Sequence, residues 1–175
     1  MNLIFIGPQG SGKSTQAKIL AKKKKLPYIS TGDIFRNLRT ENSDLARRVQ
    51  EKLRKGEFVS DNDTVQVLRE ELSKPRYQAG FVLDGYPRNR WQAEHAPFDV
   101  DKVFYLDVSE QECVRRLRKR GREDDTEQLI RKRLADYHKK TEPILDFYRK
   151  EGILEDVDGE RSIEAIAEEI SSLAE

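Results

Sequence analysis

Gly7-Pro8-Gln9-Gly10-Ser11-Gly12-Lys13-Ser14 has the residue types and spacing that surround a chain of phosphates. Its glycines let backbone N–H groups turn inward around anionic oxygens. In a loop of this form the lysine, Lys13, reaches the β- and γ-phosphates, and the hydroxyl, Ser14, is offered to Mg²⁺. A glycine-rich turn with no ligand is the alternative, and an eight-residue match argues against it. Asp84 closes the apolar run Phe81-Val82-Leu83 and precedes Gly85. An aspartate at the end of a buried strand beside such a loop holds Mg²⁺ directly or through water, and a cap or turn role competes with that reading. Arginine forks match phosphate oxygens. Arg36, Arg88, Arg116, Arg120, Arg122, Arg131 and Arg133 come from separate parts of the chain. With 33 Lys+Arg available, position must select among them, because periodicity does not.

The elements that would position these residues are legible in outline. Leu3-Ile4-Phe5-Ile6 runs directly into the glycine loop, and a helical pattern starts at Thr15. Strand, loop and helix in that order form a phosphate-binding unit, with the positive end of the helix dipole aimed at the anion. Five apolar runs, residues 2–6, 27–29, 81–83, 102–107 and 153–157, read as strands with helical patterns between them. That alternation predicts an α/β fold: a five-stranded parallel sheet flanked by helices, with ligands at the carboxyl ends of the strands. Residues 31–72 and 115–149 contain no strand pattern and read as insertions able to cap the site. The lysine run 22–25 reads as a solvated helix end.

Composition narrows the classes. The chain has 175 residues, enough for one domain with a core. A net charge of +1 gives no general affinity for nucleic acid or an anionic membrane. No apolar run approaches a membrane span, and the N-terminus enters a strand with no room for a signal peptide. Cys113 is the single cysteine, which excludes a disulfide framework and a cysteine zinc site and suggests a cytoplasmic setting. Cys113 reads as a small core residue. The two histidines, His95 and His138, read as surface or helix-packing residues.

The motifs together resemble the adenylate kinases of the nucleoside monophosphate kinase family, over nearly the whole chain. The resemblance is carried by residues 7–15, Ser30-Thr31-Gly32-Asp33-Ile34-Phe35-Arg36, Gly56-Glu57-Phe58-Val59, residues 80–88, Gln92, residues 116–120, residues 122–125 and Arg131-Lys132-Arg133-Leu134. Asp84-Gly85-Tyr86-Pro87-Arg88 is the most specific of them. The resemblance implies a P-loop kinase that moves a phosphoryl group from ATP to AMP, giving two ADP, with Mg²⁺ and no zinc. It implies that Gly7, Gln9, Gly10, Ser11, Gly12, Lys13, Ser14 and Thr15 bind ATP and that Arg116 lies against its adenine. Thr31 and Gln92 would contact the adenine of AMP. Gly32, Gly85, Phe58 and Val59 would line that site, and Arg36 and Arg88 would hold the AMP phosphate. Lys13, Arg88, Arg120, Arg122 and Arg133 would neutralise the transferring group, Arg122 and Arg133 also reaching AMP. Ser14, and through water Asp84 and Asp33, would serve Mg²⁺. Asp124 and Asp125 would orient the arginines, with a helix start at 125–126 as a competing reading.

The implied organisation is one kinase domain: a core of residues 1–29, 73–114 and 134–175, an AMP-binding insertion at 30–72, and a lid at 115–133. The implied protein is a cytoplasmic monomer that handles ATP, AMP and ADP, with no nucleic-acid or membrane partner. The lid departs from the family pattern. Long-lid members insert a further segment, sometimes with a zinc site, and even short-lid members place a few more residues between Gly121 and Arg122. A strand-like turn at Arg120-Gly121-Arg122 would send both arginines to one side, and a helix would not. Lys24 and Lys25 stand where a helix-ending glycine is common, so the first helix is expected to end differently. Related UMP/CMP kinases replace Thr31 and Gln92 with alanine and asparagine, so Thr and Gln favour AMP. A broad-specificity monophosphate kinase and a non-kinase ATP-dependent regulatory factor are the alternatives.

Overall fold

The computed structural model of the chain describes residues 1–55, 59–121 and 126–175. Five strands, β1 (Asn2–Ile6), β2 (Tyr28–Ser30), β3 (Phe81–Asp84), β4 (Lys102–Asp107) and β5 (Leu154–Asp158), form one sheet in the order β2-β3-β1-β4-β5. Every neighbouring pair is parallel. The helices are α1 (Lys13–Lys24), α2 (Thr31–Asn37), α3 (Asp44–Arg54), α4 (Asp61–Leu72), α5 (Arg90–Glu94), α6 (Glu110–Arg120), α7 (Glu127–Asp136), α8 (Ile144–Lys150) and α9 (Ile163–Leu173). A π-helical turn, Tyr137–Thr141, joins α7 towards α8. Among the described residues, 31–72 and 115–149 hold helices and no strand, as the sequence predicts. No helix among them is long and apolar enough to cross a membrane.

The central strand explains the layering. Successive side chains of a strand point to opposite faces. Leu3 and Phe5 therefore join Ala17 and Leu20 of α1 and Ile166 and Ile170 of α9 on one face. Ile4 and Ile6 join Leu68 of α4 and Ile144 and Tyr148 of α8 on the other. A strand buried on both faces must be apolar throughout, as these residues are. A smaller cluster, Val108, Cys113, Leu117, Ile130 and Leu134, holds α6 against α7. Cys113 is fully buried there, as expected.

Register brings the chemistry-bearing residues to one sheet edge. Asp84 lies opposite Phe5, two residues before Gly7, and opposite Ser30, one residue before Thr31. The glycine loop, Asp84 and the start of α2 thus leave the carboxyl edge side by side, where ligands of open α/β sheets bind.

The end of α1 corrects one expectation. Lys25 takes φ 55°, the left-handed geometry a glycine would supply. The Lys25 N–H bonds the Lys22 carbonyl and the Leu26 N–H the Ala21 carbonyl, so the usual left-handed termination forms without its usual residue.

Candidate active site

The loop after β1 is shaped by close approach. A side chain at Gly10 would stand 2.8 Å from the Cys113 carbonyl oxygen and 2.9 Å from Leu117 Cγ, because the loop rests on α6. Gly10 and Gly12 both have φ near +90°. Gly12 occupies the N-cap position of α1, which has no side-chain cap. α3, α4, α6, α7 and α9 are each capped by a serine or threonine hydroxyl, whereas α2 and α8, like α1, have no side-chain cap. The first N–H groups of α1 thus meet no side-chain cap, and a helix N-terminus of this kind favours an anion. The Ser11 hydroxyl is buried there with no partner among the described residues.

Asp84 is 5% exposed. Its Oδ2 accepts hydrogen bonds from the Ser14 hydroxyl and, at 3.2 Å, from the Tyr28 hydroxyl. Its Oδ1 is buried without a partner. A buried carboxylate oxygen left open is costly unless something cationic or protic reaches it. The donor set therefore fits Mg²⁺ or its hydration water, held by Asp84 and Ser14. Burial pushes the Tyr28 pKa up to about 12, and Asp84 adds to the shift, so Tyr28 stays a proton donor at neutral pH.

Lys13 donates to the Pro8 carbonyl at 3.3 Å. Burial lowers its pKa, the Asp84 carboxylate opposes that shift, and the charges of Arg88 and Arg120 reinforce it. Asp84, Arg88 and Arg120 thus all act on Lys13, and Asp84 acts on Arg88 as well. Arg116 is pinned above the loop, donating to the Ser11 carbonyl at 3.3 Å, the Gly159 carbonyl at 2.9 Å and Glu112 at 2.6 Å. The last of these is an i,i+4 pair, the spacing that aligns side chains on one helix face.

On the other side of Asp84, the buried Thr31 donates to the Gly85 carbonyl at 3.1 Å, and Arg88 Nε donates to the same oxygen at 3.0 Å. Gly85 has φ +88°, and a Cβ there would meet the Thr31 hydroxyl at 2.7 Å. Gln92 accepts from the Arg88 N–H at 2.8 Å. Arg36 pairs with Asp33 on the exposed face of α2, so Asp33 meets an arginine rather than standing alone. Gly32 lies within this group, 3.3 Å from Arg36 Nη1 by its would-be Cβ. Thr15 is exposed in the first turn of α1, and Gln9 Oε1 is buried without a partner. Val59 packs against the larger core cluster.

A model of the adenylate kinase family matches residues 5–153. An adenylate kinase of Archaeoglobus fulgidus is 36% identical, the alignment covering 100% of this chain and 98% of the relative. One from Thermobifida fusca is 40% identical over 96% of this chain and 95% of its own length, and one from Thermosipho melanesiensis is 34% identical over 99% of each. The chain belongs to the adenylate kinase family.

For this adenylate kinase family member the structure gathers Lys13, Ser14, Asp84, Arg88, Thr31 and Gln92 at one sheet edge. Arg120 ends α6 and Gly121 caps that helix at φ +63°. Arg120 is therefore helical, not part of a strand-like turn. Arg122, with residues 123–125, and Phe58, with residues 56–57, lie outside the described residues. Arg133 is half-buried on α7, and Thr126 caps that helix by accepting from the Leu129 N–H. His95 stacks on Trp91, and the exposed His138 pairs with Glu142.

Sequence reasoning missed Tyr28, Asp61, Glu112, Asn89 and Thr141. Tyr28 reaches Asp84, and Asp61 receives Asn89 and Gln92. Thr141 donates to the Arg88 carbonyl at 2.8 Å. The i,i+4 spacing of Glu112 and Arg116 was a usable signal. The others bond across segments distant in sequence and carry no local mark.

Proposed function

We propose that the protein catalyses the reversible transfer of the γ-phosphoryl group of ATP to AMP, giving two ADP. The observation that carries this reading is the meeting of Lys13, Asp84 and Arg88 between an uncapped helix N-terminus and the Thr31–Gln92 face. Phosphoryl transfer depends mainly on positioning and charge neutralisation. The loop from Gly7 to Thr15 holds the donor phosphates by its N–H groups, with Gln9 and Ser11 in its wall. Lys13 moves with the β- and γ-phosphate charge. Ser14 and Asp84, with Asp33 through water, would hold Mg²⁺, which would supply neutralisation of the phosphate charge. Arg116, fixed by three acceptors, presents its guanidinium plane to the ATP base.

Thr31 and Gln92 read the acceptor base, and Arg36 and Arg88 hold its phosphate. The Arg36–Asp33 pair is exposed, and such pairs are weak, so a phosphate can displace it. The acceptor oxygen of AMP is already anionic at neutral pH, and the reaction needs no side-chain base. Arg120, Arg122 and Arg133 complete the cover over the transferring group. Residues 30–72 and 115–133 close over the substrates and exclude water. Lid closure in this family is itself a well-known instance of such gating. We read the protein as a cytoplasmic monomer acting on small molecules.

The test is to incubate the protein with Mg²⁺-ATP and AMP, CMP, UMP or no acceptor, and to quantify diphosphates and free phosphate. AMP-dependent, reversible ADP formation is expected, with CMP and UMP poor. Phosphate release without acceptor phosphorylation would defeat the reading and favour a regulatory ATPase. ATP hydrolysis without AMP above that of a conventional short-lid enzyme is the expected mark of the shortened cover.

A further inference from the structure

Two helices beside the acceptor face are tied together by a single carboxylate oxygen. Asp61 opens α4, next to its N-cap Ser60. Its Oδ1 accepts from Asn89 Nδ2 at 2.9 Å and from Gln92 Nε2 at 2.7 Å. An ionised carboxylate only accepts, so both amides must turn their NH₂ ends towards it. The opposite ends then have assigned partners. Asn89 Oδ1 accepts from the Gln92 N–H at 2.9 Å and caps α5, and Gln92 Oε1 accepts from the Arg88 N–H at 2.8 Å. Flipping the Gln92 amide would set oxygen against carboxylate and NH₂ against N–H. The orientation of a side-chain amide is settled by its network, and here the network has one solution. Gln92 is 5% exposed, and its carbonyl accepts from the Tyr86 hydroxyl at 2.7 Å, which holds its main chain as well.

We infer that Asp61 is a positioning residue for recognition of the acceptor base, acting through the fixed amide of Gln92. The inference rests on the reading of Gln92 as an adenine contact. With one N–H given to Asp61 and one oxygen lone pair to Arg88, Gln92 keeps one donor and one acceptor. Adenine offers an amino donor beside a ring-nitrogen acceptor, the pattern an amide with fixed ends can match. Hypoxanthine has the same ring system with that order reversed: its carbonyl accepts and its neighbouring ring N–H donates. A Gln92 free to turn serves both bases, whereas one held by Asp61 serves adenine. Through Gln92 the same carboxylate also steadies the main chain of Arg88.

The test compares AMP with IMP as acceptors in wild type and in Asp61→Asn, at saturating Mg²⁺-ATP. Asparagine keeps the size of the side chain but can donate or accept, so of the two groups that orient Gln92 only the Arg88 N–H still dictates how it turns. The AMP/IMP ratio of kcat/KM is expected to fall by about fivefold, the lower end of the discrimination one bidentate base contact supplies, because the Arg88 N–H still favours the wild-type turn. The loss should lie mainly in the KM for AMP, with the KM for ATP within about twofold of wild type. An unchanged ratio in Asp61→Asn overturns the inference. A second measurement needs no turnover: the Gln92 side-chain amide in a ¹⁵N–¹H spectrum. In wild type the proton bonded to Asp61 should be protected from exchange, and the protection should vanish in Asp61→Asn. A rapidly exchanging Gln92 amide in wild type overturns the inference even without the variant. Failure of the wild-type protein to make ADP from AMP would refute the adenylate kinase reading instead, and the amide spectrum would still decide the role of Asp61.

Discussion

The loop after β1 and the face formed by α2, Gly85 and α5 flank the same aspartate but treat their polar groups in opposite ways. On the loop side, Ser11 Oγ, Gln9 Oε1 and Asp84 Oδ1 are buried without partners among the described residues. On the other side, Thr31 bonds Gly85, Gln92 bonds Asp61 and the Arg88 N–H, Arg88 bonds Gly85, and Arg36 pairs with Asp33. A site with open donors and acceptors is already set for its ligand, and binding mainly relieves desolvation. A site whose groups bond one another is held in one arrangement before the ligand arrives: Gln92 keeps both protein bonds and offers its remaining donor and acceptor, and the exposed Arg36–Asp33 pair is what a phosphate exchanges. The first arrangement suits a nucleotide held by backbone in a rigid loop. The second suits a selective acceptor site.

The largest expected effect breaks the loop side. Lys13→Ala should lower kcat by about 10²–10³, the range for loss of one preorganised charge-stabilising group. The KM for AMP should change little. Stability should move the other way or not at all, since burial lowers the Lys13 pKa. A lysine whose folded pKa is depressed binds its proton less readily in the folded state than in the unfolded one. Folding is therefore penalised at neutral pH, and the penalty is relieved as pH rises from the depressed value towards the ordinary 10.5. Lys13→Ala should flatten that alkaline gain in denaturant titrations. A marked drop in Tm would show that Lys13 is a structural strut, and the contrast between the two sides would weaken.

Thr31→Val tests the opposite side. It removes a hydroxyl at nearly constant volume, and the Gly85 carbonyl keeps its bond from Arg88 Nε. Tm should therefore fall only slightly. The KM for AMP should rise about fivefold to tenfold, the equivalent of one hydrogen bond of roughly 1 kcal/mol, with the KM for ATP unchanged. Equal increases in both constants would mean that the two sides are not separate recognition surfaces.

Glu112→Gln sharpens the comparison at the loop's outer wall. Hydrogen bonds from Arg115 and then Arg116 hold the Glu112 pKa at about 2. A carboxyl depressed in the folded state adds stability above its unfolded value of 4.5, and that stability is lost as pH falls through about 2. The variant should lose pH dependence in that window. Without its half-buried ion-pair partner Arg116 keeps two carbonyl acceptors, so the KM for ATP should rise by only about twofold to threefold. Steady-state kinetics at neutral pH and acid unfolding check the two parts separately.

The sequence foretold one side of this contrast better than the other. The glycine loop is a contiguous motif whose function lies in its main chain, so its residue types announce it. The strands β1 and β4 were legible because their residues 3–6 and 103–106 are an unbroken apolar run, as strands covered on both faces require. Asp84 was legible because it ends such a strand. The bonds that orient Gln92 and Arg88 were not, since Asp61 and Thr141 lie 31 and 53 residues from their partners. Only the packing of α4 and the π-helical turn against α5 and its preceding loop brings them together. Tyr28 was hidden in the same way, 56 residues from the aspartate it touches.

The smallest expected effect separates stability from the site altogether. Gly12 and Lys25 bracket α1 in the same left-handed region, at φ 90° and 55°. At Gly12 the geometry leaves the helix end open towards the candidate phosphate site. At Lys25 it only turns the chain towards β2, and the lysine bears a steric cost of roughly 1–2 kcal/mol for a non-glycine residue there. Lys25→Gly removes that cost but adds backbone freedom to the unfolded chain, which offsets about 0.5–1 kcal/mol. A net gain of about 0.5–1 kcal/mol in denaturant unfolding is expected, with kcat and both KM values unchanged. If activity moved with stability, the far end of α1 would be coupled to the phosphate loop. The open helix N-terminus would then have to be treated as a property of the whole helix rather than of its first turn.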